Sequence, residues 1–369
     1  MHRLRQLWLR EFRNYERVDL SIEPGITAFT GPNGGGKSNL LEAVYVVATG
    51  RSHRTTHEAE AIRFGQDAGR IRALIARPGR DEELEATLRR DDARAAVQLK
   101  VNGALTPRGS VLGRLPVVMV APWDMDVIRG SGAARRRMID AALSQLSPAY
   151  YFALHRYHRV LLQRNVALRQ GRAASTDPWD AQMIALGVRL TIHRRGYIEG
   201  LGPAANMWFE RLGGEGDLRV AYQAVWQGTG EEEMTADARG QIAQRRAEES
   251  RRGVTLTGPQ RDELLLSLDN HALRSVGSQG QWRTAMLAIR LAEREVMSGE
   301  VGGPPVLLLD DALAELDHVR QRRVLDLSGA GQVLLTATEL PPDAPRVCVV
   351  TVEAGALRGG MWLPQYGRS

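Results

Sequence analysis

A chain of 369 residues, 43% hydrophobic and 25% charged, has the balance of a soluble globular protein long enough for two lobes. Its single cysteine, Cys348, excludes an intramolecular disulfide framework and a cysteine-based zinc site and fits a reducing, cytoplasmic setting; no apolar run nears the roughly 18 residues of a membrane span, and the first residues lack the apolar stretch of a signal peptide. The net charge of +6 favours an anionic partner such as nucleic acid, although an arginine-rich genome produces the same bias.

Residues 3–30 read as strands: Leu4, Leu7 and Leu9, then Val18, Leu20 and Ile22 alternating toward Pro24-Gly25. Between them lies Phe12-Arg13-Asn14-Tyr15, a loop with a buried aromatic, or one whose Arg13 or Asn14 faces a ligand's phosphates. The apolar run Ile26 to Thr30 then enters Gly31-Pro32-Asn33-Gly34-Gly35-Gly36-Lys37-Ser38, followed by a helix opening at Asn39. Strand, glycine loop and helix are the context a phosphate-binding loop requires. Glycines let successive backbone N–H groups curl toward a phosphate, and the helix dipole adds to the attraction. Lys37 would reach the β- and γ-phosphates of ATP, with the Ser38 hydroxyl on Mg2+. Lys37 and Lys100 are the only lysines among 49 Lys+Arg; a flexible point charge kept at this one position, where an arginine fork suits poorly, argues for chemistry over chance.

The basic turn Gly50-Arg51-Ser52-His53-Arg54-Thr55 follows; a helix C-terminus alone favours such residues, and its histidines lack the acids or cysteines of a metal site. Residues 62–120 read as an antiparallel meander that includes Val117 to Val120, with Asn102-Gly103 as a turn. From Ala133 to about Arg252 the pattern is helical, with Leu146, Tyr150, Leu154, Tyr157 and Leu161 as a core stripe and Pro148 at a helix start. Strand returns over Val254 to Leu268. Ser278-Gln279-Gly280-Gln281 then precedes a helix from Trp282 to about Met297; such a serine and glycine make an anion site or simply a helix cap. Pro305 to Leu309, ending in Asp310-Asp311, and Gln332 to Thr338 have the all-apolar character of central parallel strands. One acid of the pair would hold Mg2+ and the next, Asp311, would orient or deprotonate the attacking water. Ala314-Glu315-Leu316-Asp317 is the last piece.

In this order the pieces resemble the ABC-type ATPase head. Phe12 to Tyr15, Gly50 to Thr55, Arg135-Arg136-Arg137 with Asp140, Gly258-Pro259-Gln260-Arg261-Asp262, Ser278 to Gln281 and Leu309 to Asp317 make the chain similar, within that class, to the RecF family of bacterial recombination mediators. Gly35, Ser38 and Ala314 depart from the family's usual residues, and Thr336 stands where many ABC ATPases place a histidine. The resemblance implies an α/β fold: a mixed parallel and antiparallel sheet lobe from 1–123 and 300–369, a mainly helical lobe from 124–299 carrying the serine motif, and no long coiled coil. It implies ATP and Mg2+ held by Arg13, Gly31 to Asn39, Asp310 and, from a second copy, Ser278, Gly280 and Gln281, with Lys37, Ser278 and Asp311 as the catalytic set. The expected function is slow, DNA-stimulated ATP hydrolysis by a homodimer on duplex DNA near single-strand/double-strand junctions, acting with RecR and RecO to load RecA on strands coated with SSB. Arg51, Arg54 and Arg135 to Arg137 are the charge-based candidates for DNA contact. A long-coiled-coil SMC protein is disfavoured by the proline- and glycine-broken interval between Lys37 and Ser278; a transporter subunit and a non-catalytic scaffold remain as alternatives.

Overall fold

The computed structural model describes residues 2–55, 57–77, 79–90, 96–171, 176–314, 316–328, 331–341, 344 and 346–362. They form two compact units. The first takes the described residues of Met1–Asp124, Trp208–Gly214 and Leu287–Ser369; the second takes Met125–Met207 and Glu215–Met286.

The first unit holds two sheets with a helix between them. Strands β1 (Arg3–Phe12), β2 (Tyr15–Ser21), β4 (Ala68–Arg77), β5 (Arg80–Arg89), β6 (Ala96–Val101) and β7 (Ala104–Leu105) make an antiparallel sheet in the order β2-β1-β4-β5-β6-β7. Leu4 and Leu7 are an odd number of residues apart, which would put them on opposite faces. A register shift between Leu4 and Gln6 in the pairing with β4 restores both to the buried face. Asn102 and Gly103, both at positive φ, turn β6 into β7 as the Asn-Gly pair predicts.

The second sheet of this unit contains β3 (Ile26–Thr30), β8 (Val117–Val120), β12 (Val306–Leu309), β13 (Val333–Ala337), β14 (Val347–Glu353) and β15 (Ala356–Trp362) in the order β15-β14-β3-β13-β12-β8. All neighbours are parallel except the β14–β15 hairpin. Val117 to Val120 belongs here, parallel to β12, and not to the antiparallel meander that the sequence suggests; the terminal hairpin is an element that the sequence reading lacks. Helix α1 (Lys37–Thr49) buries ten of its thirteen residues, touching β1, β4 and β5 on one side and β8 and β13 on the other. That all-round burial explains its apolar composition. Short α2 (Arg108–Val111) also packs on α1.

In the second unit lie α3 (Met125–Arg129), α4 (Gly132–Leu146), α5 (Pro148–Arg169), α6 (Asp177–Arg211) up to Met207, α7 (Glu231–Arg252) and α8 (Leu273–Val276), with a small antiparallel sheet of β9 (Leu218–Gln223), β10 (Glu263–Leu268) and β11 (His271–Ala272). Strand β9 interrupts the stretch read as helical. Helix α5 starts as expected: Ser147 caps it, accepting from the Tyr150 N–H, and Pro148 sits in its first turn. Tyr150, Leu154 and Tyr157 are buried, with Val160 continuing the stripe in place of Leu161. Helix α9 (Gln279–Val301) is shared, its residues to Met286 falling in the second unit and the rest in the first, and α10 (His318–Ser328) completes the first unit. The longest helix, α6, has 35 residues, so no long coiled coil is present among the described residues.

Buried arginines tie the second unit together. Arg164, fully buried, gives hydrogen bonds to Asp180 (2.5 Å), Glu249 (2.7 Å) and Thr255 (2.8 Å). Removing one member of such a network strands buried charge. Arg164→Leu should therefore destabilise this unit by about 3–5 kcal/mol, read by calorimetry, while nucleotide affinity at Lys37 in the other unit stays within twofold; an unchanged melting profile would refute this role.

Candidate functional site

The glycine loop leaves the carboxyl end of β3 on backbone that side chains rarely adopt: Gly31 has φ 137° and Gly36 φ 114°. A Cβ at Gly31 would lie 2.2 Å from the Val352 carbonyl oxygen, and one at Gly36 within 2.9 Å of the Asn14 amide and the Tyr15 hydroxyl. Neither position admits a larger residue. The loop's carbonyls are taken from outside. Asn14 Nδ2 (3.0 Å) and the Gly355 N–H (3.1 Å) donate to Gly35, and the Tyr15 hydroxyl (2.9 Å) and the Asn39 N–H (3.0 Å) donate to Gly36. Helix α1 opens with no side-chain cap and no acid in its first turn, so its dipole and the first-turn N–H groups other than that of Asn39 are available to an anion.

Lys37 is buried, its ammonium donating to the carbonyls of Gly31 (2.8 Å) and Pro32 (3.0 Å). Among the described residues no carboxylate pairs with it, so two of three donors are used and the charge is uncompensated. Pro32, Asn33 and Gly34 are exposed at the loop's rim.

Asp310 and Asp311 follow β12, and Thr336 lies on the adjacent β13. The Thr336 hydroxyl is 2.9 Å from Asp310 Oδ1 and 3.3 Å from Asp311 Oδ1, and accepts the Asp311 N–H at 2.8 Å. Burial raises the Asp310 carboxyl above its ordinary value; the hydroxyls of Ser38 and Thr336 pull it down, Asp311 pushes it up, and Arg54 opposes that push. A buried carboxylate beside a serine hydroxyl is a hard-oxygen pair with charge left to neutralise, which suits Mg2+. No group of three or more His, Cys, Asp or Glu side chains forms a cage among the described residues.

A second cluster, unforeseen in the sequence, is built on Glu42. This fully buried carboxylate of α1 accepts from Arg13 Nε (2.9 Å) and Nη2 (2.6 Å), from the Ser52 hydroxyl (2.6 Å) and from Arg54 Nη1 (3.3 Å). Burial pushes its carboxyl up, but the Arg13 and Ser52 hydrogen bonds and the Arg13 and Arg54 charges outweigh burial and hold it below the usual range. Arg13 also donates to the Glu60 carbonyl at 2.7 Å, so here its guanidinium is engaged within the protein. Arg54 Nη1 reaches Asn39 Oδ1 at 2.7 Å, which brings the Gly50 to Thr55 turn alongside the loop. The signal for Glu42 was a lone acid in the apolar run Leu40 to Val47.

Ser278 lies in the second unit, exposed with Gln279 and Gly280. It forms a reciprocal cap: its hydroxyl accepts the Gln281 N–H (3.2 Å) while Gln281 Oε1 accepts the Ser278 N–H (2.9 Å). The DNA candidates need correction. Arg135 is buried, donating to Glu263 (2.6 Å) and to the carbonyls of Val127 and Gly130. Arg136 donates to the Asp262 carbonyl at 2.6 Å. Both brace the second unit, leaving Arg137, Arg51 and Arg54 exposed. Ala314 is exposed, Asp317 caps α10 through the Arg320 N–H (2.9 Å), and Glu315 lies outside the described residues.

The chain matches the model of the family described as RecF/RecN/SMC N terminal domain over residues 3–338. It is 38% identical over 355 residues to the DNA replication and repair protein RecF of Synechocystis, spanning 91% of this chain and 92% of that protein. A solved structure of the recombination mediator protein RecF with ATP, from the RecFOR pathway, superposes with a TM-score of 0.89 at 26% identity, covering 98% of each chain. The Smc head domain of Pyrococcus furiosus, at TM-score 0.58 and 16% identity over 98% of this chain and 96% of that one, shares the fold.

The imidazole beside this site gives a pH test. His53 stacks on Trp123 (4.8 Å) and meets Tyr45 edge-on (5.1 Å), with neither ring nitrogen hydrogen-bonded. Burial lowers its pKa to about 4 against the pull of Glu42, with Arg54 and Arg13 lowering it further. An unfolded histidine takes its proton near 6.5. Folding stability from this group is therefore complete above 6.5 and is lost as pH falls from 6.5 to 4, by up to roughly 3 kcal/mol. His53→Phe should flatten the fall in melting temperature across that window; identical slopes for both proteins would exclude it.

Proposed function

The chain belongs to the RecF family, and from that premise we propose that it is a cytoplasmic, ATP-dependent DNA-binding recombination mediator of gap repair. The observation that carries the reading is one half-site assembled in one unit. Lys37 is buried and uncompensated beneath an open helix N-terminus, and Ser38, Asp310, Asp311 and Thr336 stand together at the strand ends. The names carried by relatives, a DNA replication and repair protein and an ATP-bound mediator of the RecFOR pathway, point the same way. No described helix is long and apolar enough to cross a membrane.

In this reading the loop N–H groups and Lys37 hold the triphosphate, and Ser38 and Asp310 hold Mg2+, which when bound neutralises phosphate charge. Asp311 takes the proton of the attacking water. Ser278, Gly280 and Gln281 of a second copy close the site over the γ-phosphate, so that binding ATP dimerises the protein on duplex DNA and hydrolysis releases it. Arg51, Arg54 and Arg137 are the exposed cations offered to the DNA backbone, and RecR and RecO are the partners through which the bound dimer helps RecA onto SSB-coated single strands near a junction.

Lys37→Met should abolish ATP binding. Ser278→Arg should keep binding but lose ATP-induced dimerisation; a retained dimer by light scattering would overturn the two-copy site. Asp311→Asn should give a long-lived ATP-bound dimer. Hydrolysis by the unsubstituted chain should rise with gapped duplex and fall back with salt; a rate indifferent to DNA would remove the proposed coupling.

A further inference from the structure

The Asp311 carboxylate is not positioned by a charge. Among the described residues no arginine or lysine pairs with it, and its side-chain partner is the Thr336 hydroxyl at 3.3 Å. Its backbone is held at φ 49°, in the left-handed region that a non-glycine residue occupies at a cost. Its carbonyl accepts the Ala314 N–H at 3.2 Å within the following turn, and its N–H is taken by a side chain, again Thr336, whose Oγ1 accepts it at 2.8 Å. Thr336 is itself 1% exposed on β13, a strand with β3 on one side and β12 on the other; it pairs with Phe29 of β3 and stands one position past the last pairing with β12.

A threonine hydroxyl has one proton and two lone pairs. One lone pair is taken by the Asp311 N–H, so the proton goes either to Asp310 Oδ1 at 2.9 Å or to Asp311 Oδ1 at 3.3 Å. The shorter contact, and the more deeply buried acid, is Asp310.

We propose that Thr336 is the positioning residue of this site, a hydroxyl that fixes Asp311 by its backbone and divides one proton between the two carboxylates. The inference rests on the reading of Asp310 and Asp311 given above. With the proton on Asp310, the Asp311 carboxylate keeps its lone pairs for water. With Asp310 engaged by another donor, the proton turns to Asp311 and fixes the rotation of its carboxylate. Thr336 touches neither nucleotide nor water in this scheme, so it acts on turnover and not on binding.

The experiment compares Thr336→Val, which keeps the shape and removes the hydroxyl, with Thr336→Ser, which keeps the hydroxyl. Phosphate release gives kcat and KM, and titration with a non-hydrolysable ATP analogue gives affinity. Thr336→Val should lose roughly 10–100-fold in kcat, the scale of a misplaced catalytic group, with analogue affinity and melting temperature near the unsubstituted values. Thr336→Ser should recover kcat to within about threefold. Where the valine variant does not fold, Thr336→Ala removes the hydroxyl without adding bulk and takes its place. Turnover at the unsubstituted rate without the hydroxyl, while Asp311→Asn still blocks it, overturns the positioning role and leaves the ATPase reading standing. Failure of serine to rescue, or affinity lost in parallel with kcat, overturns it as well, since a purely structural strand residue would behave that way. No turnover by the unsubstituted chain would sink both readings.

Discussion

A loop that presents its N–H groups to a phosphate cannot leave its carbonyls unpaired, and donors far away in the chain meet that need here. Asn14 and Tyr15, at the start of β2, and Gly355, in the β14–β15 turn, hold the carbonyls of Gly35 and Gly36. These donors come from two sheets. The β1–β2 hairpin belongs to the antiparallel sheet and the β14–β15 hairpin to the parallel one, with α1 packed between the two. The glycine loop is thus the seam where both sheets meet. Because the Val352 carbonyl already occupies the space where a Gly31 side chain would stand, the seam tolerates no added atom there. Pre-organisation of this kind removes ordering cost from ligand binding.

Charge is divided by chemistry. Arginine, with its planar fork, is used where two carboxylate oxygens can be held at once: both oxygens of Glu42 by Arg13, both of Asp140 by Arg194, and one each of Asp180 and Glu249 by Arg164. Each of these pairs is satisfied within its own unit. The excess of basic residues therefore says less about DNA than the net charge suggests, since Arg135 and Arg136 also proved to be internal braces. Lys37 differs in kind. It is a buried point charge held only by carbonyls, and it can turn toward an arriving anion with little rearrangement.

What could be read from the sequence was what is local. The glycine loop, its strand and its helix are contiguous, and β12 and β13 are covered on both faces, so their apolar runs declare them. Val117 to Val120 has the same all-buried pattern, and such a pattern cannot say which sheet a strand enters. Strand β9 has a short alternation inside a long helical context. The Glu42 cluster gathers residues 13, 42, 52 and 54 through tertiary folding; periodicity carries no trace of it beyond one acid in an apolar helix. Exposure of an arginine was the least legible property of all, since it depends on where the carboxylate lies, and for Arg135 that is Glu263, 128 residues away.

The serine motif shows how a structural and a functional reading of one residue can both hold. Ser278 caps α9, and a cap of this kind is worth about 1 kcal/mol, which by itself would explain the serine. The cap, however, uses the hydroxyl only as an acceptor, from the Gln281 N–H. The proton of that hydroxyl is left to donate, and a phosphate oxygen can only accept. Binding a phosphate would thus cost the helix nothing, because the cap and the phosphate draw on opposite faces of the same oxygen. The reciprocal bond from the Ser278 N–H to Gln281 Oε1 fixes the backbone that carries the hydroxyl. Alanine would lose both cap and donor, whereas threonine would keep both at the expense of a methyl group on an exposed rim. Under the two-copy site proposed above, a capped, exposed serine is in this respect better prepared to donate to a phosphate than an uncapped one.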